Sequence, residues 1–191
     1  MKKYELTEET VTVYGKTLYR IRAVRDFGSV KTGEFGGYIE KEENLSHFGN
    51  AWVSGNAWVF DNARVYDNAW VFGNAWVFDN ARVYDDTWVY GNARVYDNAW
   101  VFGNAWVYGN AEVFNTRHFF VQGPIGSRDG YVTFYRTKDD TVEVRCGCFS
   151  GSLQEFVNQV EETHGGSRYE KEYKLAAKLA KVCIRLEGES R

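Results

Sequence analysis

Cysteine is scarce: Cys146, Cys148 and Cys183 are all that 191 residues contain. A small odd number cannot build the paired framework of a secreted disulfide scaffold, and it suits a reducing cytosol. Positive charge is not in excess either. With a formal net charge of −3, the chain is no polycation drawn to a nucleic-acid backbone. No apolar run reaches the ~18 residues of a membrane span, and the opening MKKYELTEET has no apolar core of signal-peptide length. The expectation is a soluble, cytoplasmic protein with no membrane partner. Proline occurs once, and none of the three histidines falls between residues 50 and 115.

What the chain has instead is repetition and aromatics, which make up 17% of it and include seven Trp. Residues 50–67, NAWVSGNAWVFDNARVYD, return at 68–85 with one change, Ser54 answering to Phe72. The echo divides into eleven six-residue units running from residue 50 to residue 115, and NLSHFG at 44–49 looks like a worn first copy. A short fixed period takes precedence over local helix or strand assignment. Each unit alternates β-branched and aromatic residues over four positions, which means strand, and closes on Gly-Asn or Asp-Asn, which means a turn tolerating φ > 0. Three strands and three corners make one triangular coil of a parallel β-helix.

Charge decides which face points inward. Arg64, Arg82, Arg94 and Glu112 all occupy the third position of a unit, and no charge occupies the second or fourth. Buried unpaired charge is prohibitive, so Ala51, Val53 and their successors line a narrow bore while the third and fifth positions face out. Coils of eighteen then stack Trp52, Trp70, Trp88 and Trp106 on a first face beside Phe72, Tyr90 and Tyr108. A second face stacks Trp58 and Trp76 before Arg94 and Glu112, beside Phe60, Phe78, Tyr96 and Phe114. The third carries Arg64 and Arg82 before Trp100, beside Tyr66, Tyr84 and Phe102. Four Trp at about 150–250 Å² each would expose about 600–1,000 Å², more than the ~300–600 Å² of an ordinary monomer's largest patch. The column is therefore expected to be covered by another subunit or by the chain's own flanks. Base stacking on it would need flanking basic residues, which the column lacks, so nucleic acid is not an expected partner.

Residues 44–115 resemble the hexapeptide-repeat family. The resemblance implies a left-handed parallel β-helix of about four coils and a homotrimer, with Trp52, Trp70, Trp88, Trp106, Phe72, Tyr90, Tyr108, Trp58, Trp76, Phe60 and Phe78 as interface. The period of six excludes the pentapeptide-repeat DNA mimics, and a net −4 over these residues, from six Asp, one Glu and three Arg, is mild for a phosphate mimic. Many members of the family are acyltransferases with a histidine on the coils, and others are carbonic anhydrases with three histidines around zinc. His47, at an inward position of the degenerate first unit, suits capping better than chemistry. The family's catalytic residues have no counterpart here, which implies a non-catalytic scaffold with no cofactor.

Outside the repeats, residues 1–43 contain TVTVYGKTLYRIRAV, a hairpin around Tyr-Gly-Lys, and serve as a cap, because an open β-helix end would polymerise. Residues 116–191 are read as a ββ(β)αα module: strands RHFFVQG, YVTFYRT and TVEVRCG, a helix opened by the capping box SLQE and broken by HGGS, then a second amphipathic helix YEKEYKLAAKLAKVCIRL. The fold class is thus mainly β, with a hairpin cap, a parallel β-helix and a small α+β module. Within that module GPIGSRDG offers backbone N–H groups and Arg128, and GCFSGS precedes a helix N-terminus, another place for negative charge. Gly126, Ser127, Arg128, Arg136, Arg145, Ser150, Ser152 and His164 form the candidate ligand site. The structural alternative is that Gly126 and Gly130 only shape turns and that the arginines pair with nearby carboxylates. Cys146-Gly-Cys148 with Cys183 and His164 matches no usual zinc spacing, so no metal is expected. Cys146 or Cys148 as a nucleophile with His164 stays open.

GGYIEKEENLS, the NAWV and NARV coils, GPIGSRDG, GCFSG and THG together resemble short hexapeptide-repeat proteins of phage and prophage genomes. That resemblance implies an accessory protein, working in the bacterial host cell, that counters immunity by sequestering a small phosphorylated ligand such as a nucleotide signal. Direct binding to a host defence protein, and acyl transfer, are the alternatives.

Overall fold

The structure, a computed structural model, describes residues 2–186. The remaining termini, and with them the last residues of the expected C-terminal module, lie outside the described residues. A hairpin of β1 (Tyr4–Val13) and β2 (Lys16–Ala23) opens the chain, with β3 (Phe35–Ile39) antiparallel to β2. Eleven two-residue strands follow, β4 (Trp52–Val53) through β14 (Glu112–Val113). Every pairing among them is parallel and advances by one coil, as in Trp52↔Trp70↔Trp88↔Trp106 and Arg64↔Arg82↔Trp100.

The inward positions are as the charge pattern requires. Ala51, Val53, Ala57, Val59 and their successors to Val113 are essentially without exposure. Each buried Val contributes about 2 kcal/mol of apolar transfer. Thr87 takes one of the Ala places, and its hydroxyl reaches the Gly103 carbonyl at 3.5 Å. The sixth residue of every unit but the last turns the corner with φ > 0: Asp61 at 59°, Asp79 at 56°, Gly73 at 72°, Gly91 at 74°. The first position has a use that spacing alone did not reveal. Asn50 donates to Asn68 and Asn68 to Asp86, while Asn62 donates to Asn80, so side-chain ladders run up the corners.

The ladder direction fixes how the ends are closed. In each coil, N–H groups donate to carbonyls of the coil above, as Trp52 N does to Ala69 O at 3.0 Å. The lower end therefore presents bare carbonyls and the upper end bare N–H groups, and both must find partners if buried. Below, the acceptors are met by donors: Lys3 Nζ on Ala51 O at 2.6 Å, Tyr38 N on Ala57 O, Glu40 N on Val59 O, and Asn44 Nδ2 on Ala63 O at 2.8 Å. Above, side chains supply acceptors. Thr133 Oγ1 receives Trp106 N at 2.9 Å, Thr116 Oγ1 receives Trp100 N at 3.3 Å, and His118 Nδ1 receives Phe114 N at 3.4 Å.

The strand β3 goes beyond the hairpin expected for residues 1–43. It lies parallel to the Trp58 strand, Tyr38↔Trp58 and Ile39↔Val59, and extends the second face downward. The hairpin then folds over that face: Val13 and Leu18 bury Phe60, with Trp58 and Phe78 packed at the edge, and Lys16 pairs with Asp61.

The C-terminal module is a four-stranded antiparallel sheet, β15 (Phe119–Ile125), β16 (Gly130–Arg136), β17 (Val142–Cys146) and β18 (Phe149–Ser152), followed by α1 (Leu153–His164) and α2 (Arg168–Cys183). Alternation along β16 joins two cores. Val132 and Phe134 pack under the helices with Phe156, Val160, Ala177 and Ala180, whereas Tyr135 packs on the last coil and Thr133 caps it. FSGS, which the sequence placed only as preceding a helix N-terminus, forms β18. It is a strand because Gly147, at φ 56°, turns the chain so that Ser150 pairs with Arg145. Helix α2 stops at Cys183, three residues short of the amphipathic pattern, and Arg185 N then donates to Arg117 O.

Candidate ligand cleft

Where the sheet leans on the last coil, a cleft of about 800 Å³ opens. Trp106 and Asn104 of the solenoid form one wall. Arg145 and Cys146 of β17 and the turn residues Ser127 and Arg128 form another, and His164 and Tyr173 close it from the helices. Strand alternation explains the arrangement: Val144 points under the helices, so its neighbour Arg145 points towards the coil. Its guanidinium lies 5.7 Å from the Trp106 ring and 5.8 Å from Tyr108, stacked on aromatic faces. Its one hydrogen bond to the backbone is long, to Phe149 O at 3.5 Å. Among the described residues no carboxylate pairs with Arg145 or with Arg128, and none lines the cleft.

Of the eight candidate residues, the cleft gathers Ser127, Arg128, Arg145 and His164. The other four are engaged elsewhere. Gly126 N donates to Glu172 Oε2 at 2.9 Å, and a Cβ on Gly126 would run into the Tyr173 hydroxyl. The backbone donor expected for an anion is thus already held by a carboxylate of α2. Arg136 is buried, bonded to Asp140 at 2.7 Å, 3.7 Å from Glu112, and stacked over Phe114. It ties the module to the last coil. Ser152 is the α1 N-cap, closed by Glu155 in a reciprocal box, so the anion at that helix terminus is the chain's own. Ser150, exposed on β18 opposite Arg145, is hydrogen-bonded to Tyr135 and does not line the cleft. Trp106, Tyr131, Phe149 and Tyr173, which the sequence did not single out for binding, supply its aromatic lining.

Of the two thiols lining the cleft, Cys148 is exposed and Cys146 is half-buried. Burial pushes the Cys146 thiol up, although a hydrogen bond with Tyr173 acts the other way. Tyr173 is itself pushed up to about 12, chiefly by burial, with Cys146 beside it. Both are protonated and neutral at pH 7. His164 stacks on Tyr173 with ring centroids 5.7 Å apart. Among the described residues no three metal-ligating side chains converge.

The aromatic columns meet different fates. Trp52 is wholly buried between Tyr4 and Phe27, at 6.4 and 5.3 Å, and Phe60 lies beneath the hairpin. Neither can face another subunit, because the chain's own amino-terminal segment covers them. Trp58, Trp76 and Phe78 are half-buried beside it, Tyr14 reaching Trp76 at 6.2 Å. Higher on the first face Trp70, Phe72 and Tyr90 are half-buried, and Trp88 is 41% exposed. Trp88 and Trp106 stack on one another, 5.3 Å apart and 11° from parallel, so they turn edges outward. On the third face Arg64 and Arg82 are exposed, as are Trp100 and Phe102.

Parallel pairing at a constant eighteen-residue advance, with Ala and Val inside, decides the architecture. The repeat region is a β-solenoid. In agreement, a family described as YdcK beta solenoid repeat matches residues 63–77, 75–91, 89–103 and 93–109. No curated protein matches the chain. No helix among the described residues is long and apolar enough to cross a membrane.

Proposed function

We propose that the chain is a non-catalytic binding protein whose cleft takes a small phosphorylated molecule with an aromatic ring. One observation carries the reading: two guanidinium groups, Arg128 and Arg145, and His164 line the cleft, and no described carboxylate does. Cations with no carboxylate partner among the described residues, in an aromatic-walled site, favour an anion, and Arg matches phosphate oxygens in bidentate geometry. Trp106, Tyr131 and Tyr173 offer surface to a ring, and Gln159 and Thr163 offer polar contacts at its rim. A neutral Cys146 thiol and coils without histidine favour binding over turnover. The solenoid acts as a rigid mount, and copies assemble, as a trimer, through the third face and the part of the first face above Trp52, which the amino-terminal segment leaves open. In the setting implied by the resemblance to phage repeat proteins, the ligand is a nucleotide immune signal and the activity is its sequestration.

Titration calorimetry of the full chain with mono-, di- and cyclic nucleotides tests this. Saturable heat that Arg145→Ala weakens by about tenfold or more supports it. No heat with any phosphorylated ring compound, or equal affinity in wild type and variant, overturns it.

A further inference from the structure

Helix α2 has a second apolar face besides the one in the module's core. Ala176, Ala177 and Ala180 are buried, yet Leu175 is 64% exposed, Leu179 46% and Val182 80%. Their spacing of four and three places them on one ridge of the helix. Isolated exposed leucines are ordinary, but a continuous i, i+4, i+7 stripe is the anchor pattern of helix-to-helix docking. Charge beside the ridge is basic on one flank, whereas the other flank carries Glu172, which is bonded to Gly126 N and lies 3.7 Å from Arg168. From residue 173 to residue 186 the sequence has Lys174, Lys178, Lys181 and Arg185 and no Asp or Glu. Lys174 is taken, held 2.6 Å from both Glu161 and Glu170. Lys171, Lys178 and Lys181 are exposed and pair with no carboxylate among the described residues. By helical angle these three lie along one flank of the ridge.

We infer that the Leu175–Leu179–Val182 ridge is a docking surface for an amphipathic helix of a partner protein, with an apolar stripe and an acidic flank. A second copy fits badly in the antiparallel arrangement, because pairing α2 with α2 that way would set lysine flank near lysine flank. Nor do residues 187–191, Glu-Gly-Glu-Ser-Arg, supply any apolar side chain to cover the ridge. In a chain of net charge −3 a local basic, apolar strip selects an acidic, apolar complement. This surface is distinct from the cleft lining, so the two readings stand or fall separately.

The test uses the full chain and two labelled synthetic helical peptides of about 15 residues. Both carry the same leucine stripe, flanked by Glu in one and by Lys in the other. Fluorescence anisotropy is expected to show binding of the Glu-flanked peptide only, weakened by added salt and by about tenfold or more in Leu179→Glu and in Lys178→Glu. Both substitutions are at exposed positions, and circular dichroism checks the fold. The inference is overturned if neither peptide binds, if both bind equally, or if Leu179→Glu binds as well as wild type. It is also overturned if phosphatidylserine vesicles retain the wild type but not Leu179→Glu, or if Leu179→Glu abolishes self-association in light scattering. Those outcomes would assign the ridge to a lipid surface or to a second copy.

Discussion

Lys3 is a charged side chain with no exposure, wedged into the lower mouth of the solenoid to donate to Ala51 O and to lie 4.9 Å over the Phe27 ring. Burial, with the Arg25 guanidinium second, pulls its ammonium down from 10.5 to about 8. Between those values the unfolded chain keeps the proton that the folded chain has lost, so stability rises with pH across that window. The full difference is about 3 kcal/mol at 1.36 kcal/mol per pKa unit, of which about 2 falls between pH ~7.5 and pH ~9.5. Lys3→Met removes the titration and leaves the Ala51 carbonyl without this donor, a loss of about 1–3 kcal/mol. The variant should therefore match the wild type near neutrality, where relief of the buried charge offsets the missing hydrogen bond, and fall about 2 kcal/mol behind at pH ~9.5. Urea unfolding of both proteins at the two pH values measures this, and tyrosine ionisation, common to both, cancels in the difference. An equal gain with pH in Lys3→Met would refute the argument that this end is capped by a buried ammonium.

His118 gives the mirror case at the upper end. Burial, then Arg136, lowers its imidazole to about 4 from 6.5, so the unfolded chain binds a proton first and stability falls as pH drops from ~6.5 to ~4, by about 3 kcal/mol. His118→Leu should flatten that part of the urea profile. Arg136→Met should lose about 2 kcal/mol or more in the same assay, because the carboxylates of Asp140 and Glu112 lose a buried cation. At the corners, Gly91→Val should lose about 2 kcal/mol, since φ is 74° and a Cβ would lie 2.9 Å from Gly109 N. Asp97→Gly, already at φ 52°, should change thermal stability by only a few tenths of a kcal/mol.

The solenoid was legible because a six-residue period places every charge on the outside, and a single Arg at the third position suffices to orient a whole column. What faces what across the molecule was not legible. Trp52 and Trp88 occupy equivalent places in the repeat, yet one is sealed by Tyr4 and Phe27 and the other is open. That difference lies in where a hairpin dozens of residues away comes to rest. Likewise Arg136 and Arg145 both read as strand arginines beside a Gly-rich loop. Only the folded sheet shows the first against Asp140 and Glu112 and the second against Trp106. The Ser152 capping box was legible, but its consequence went against the ligand-site expectation for Ser152 and this helix terminus, since a box closed by Glu155 leaves no vacancy for an external anion. FSGS hid its strand behind three small residues, Ser150, Gly151 and Ser152, without the β-branched signature.

The cleft beside Trp106 is the proposed site for a phosphorylated ring compound. Purified full-length wild type and Arg145→Ala, heat-denatured and analysed by mass spectrometry after saturation with a nucleotide mixture and gel filtration, test it most directly. One phosphorylated, ultraviolet-absorbing compound is expected to be retained in near-stoichiometric amount by the wild type and lost from Arg145→Ala. Wild type that carries nothing through the column, or a compound retained equally by both, would contradict it.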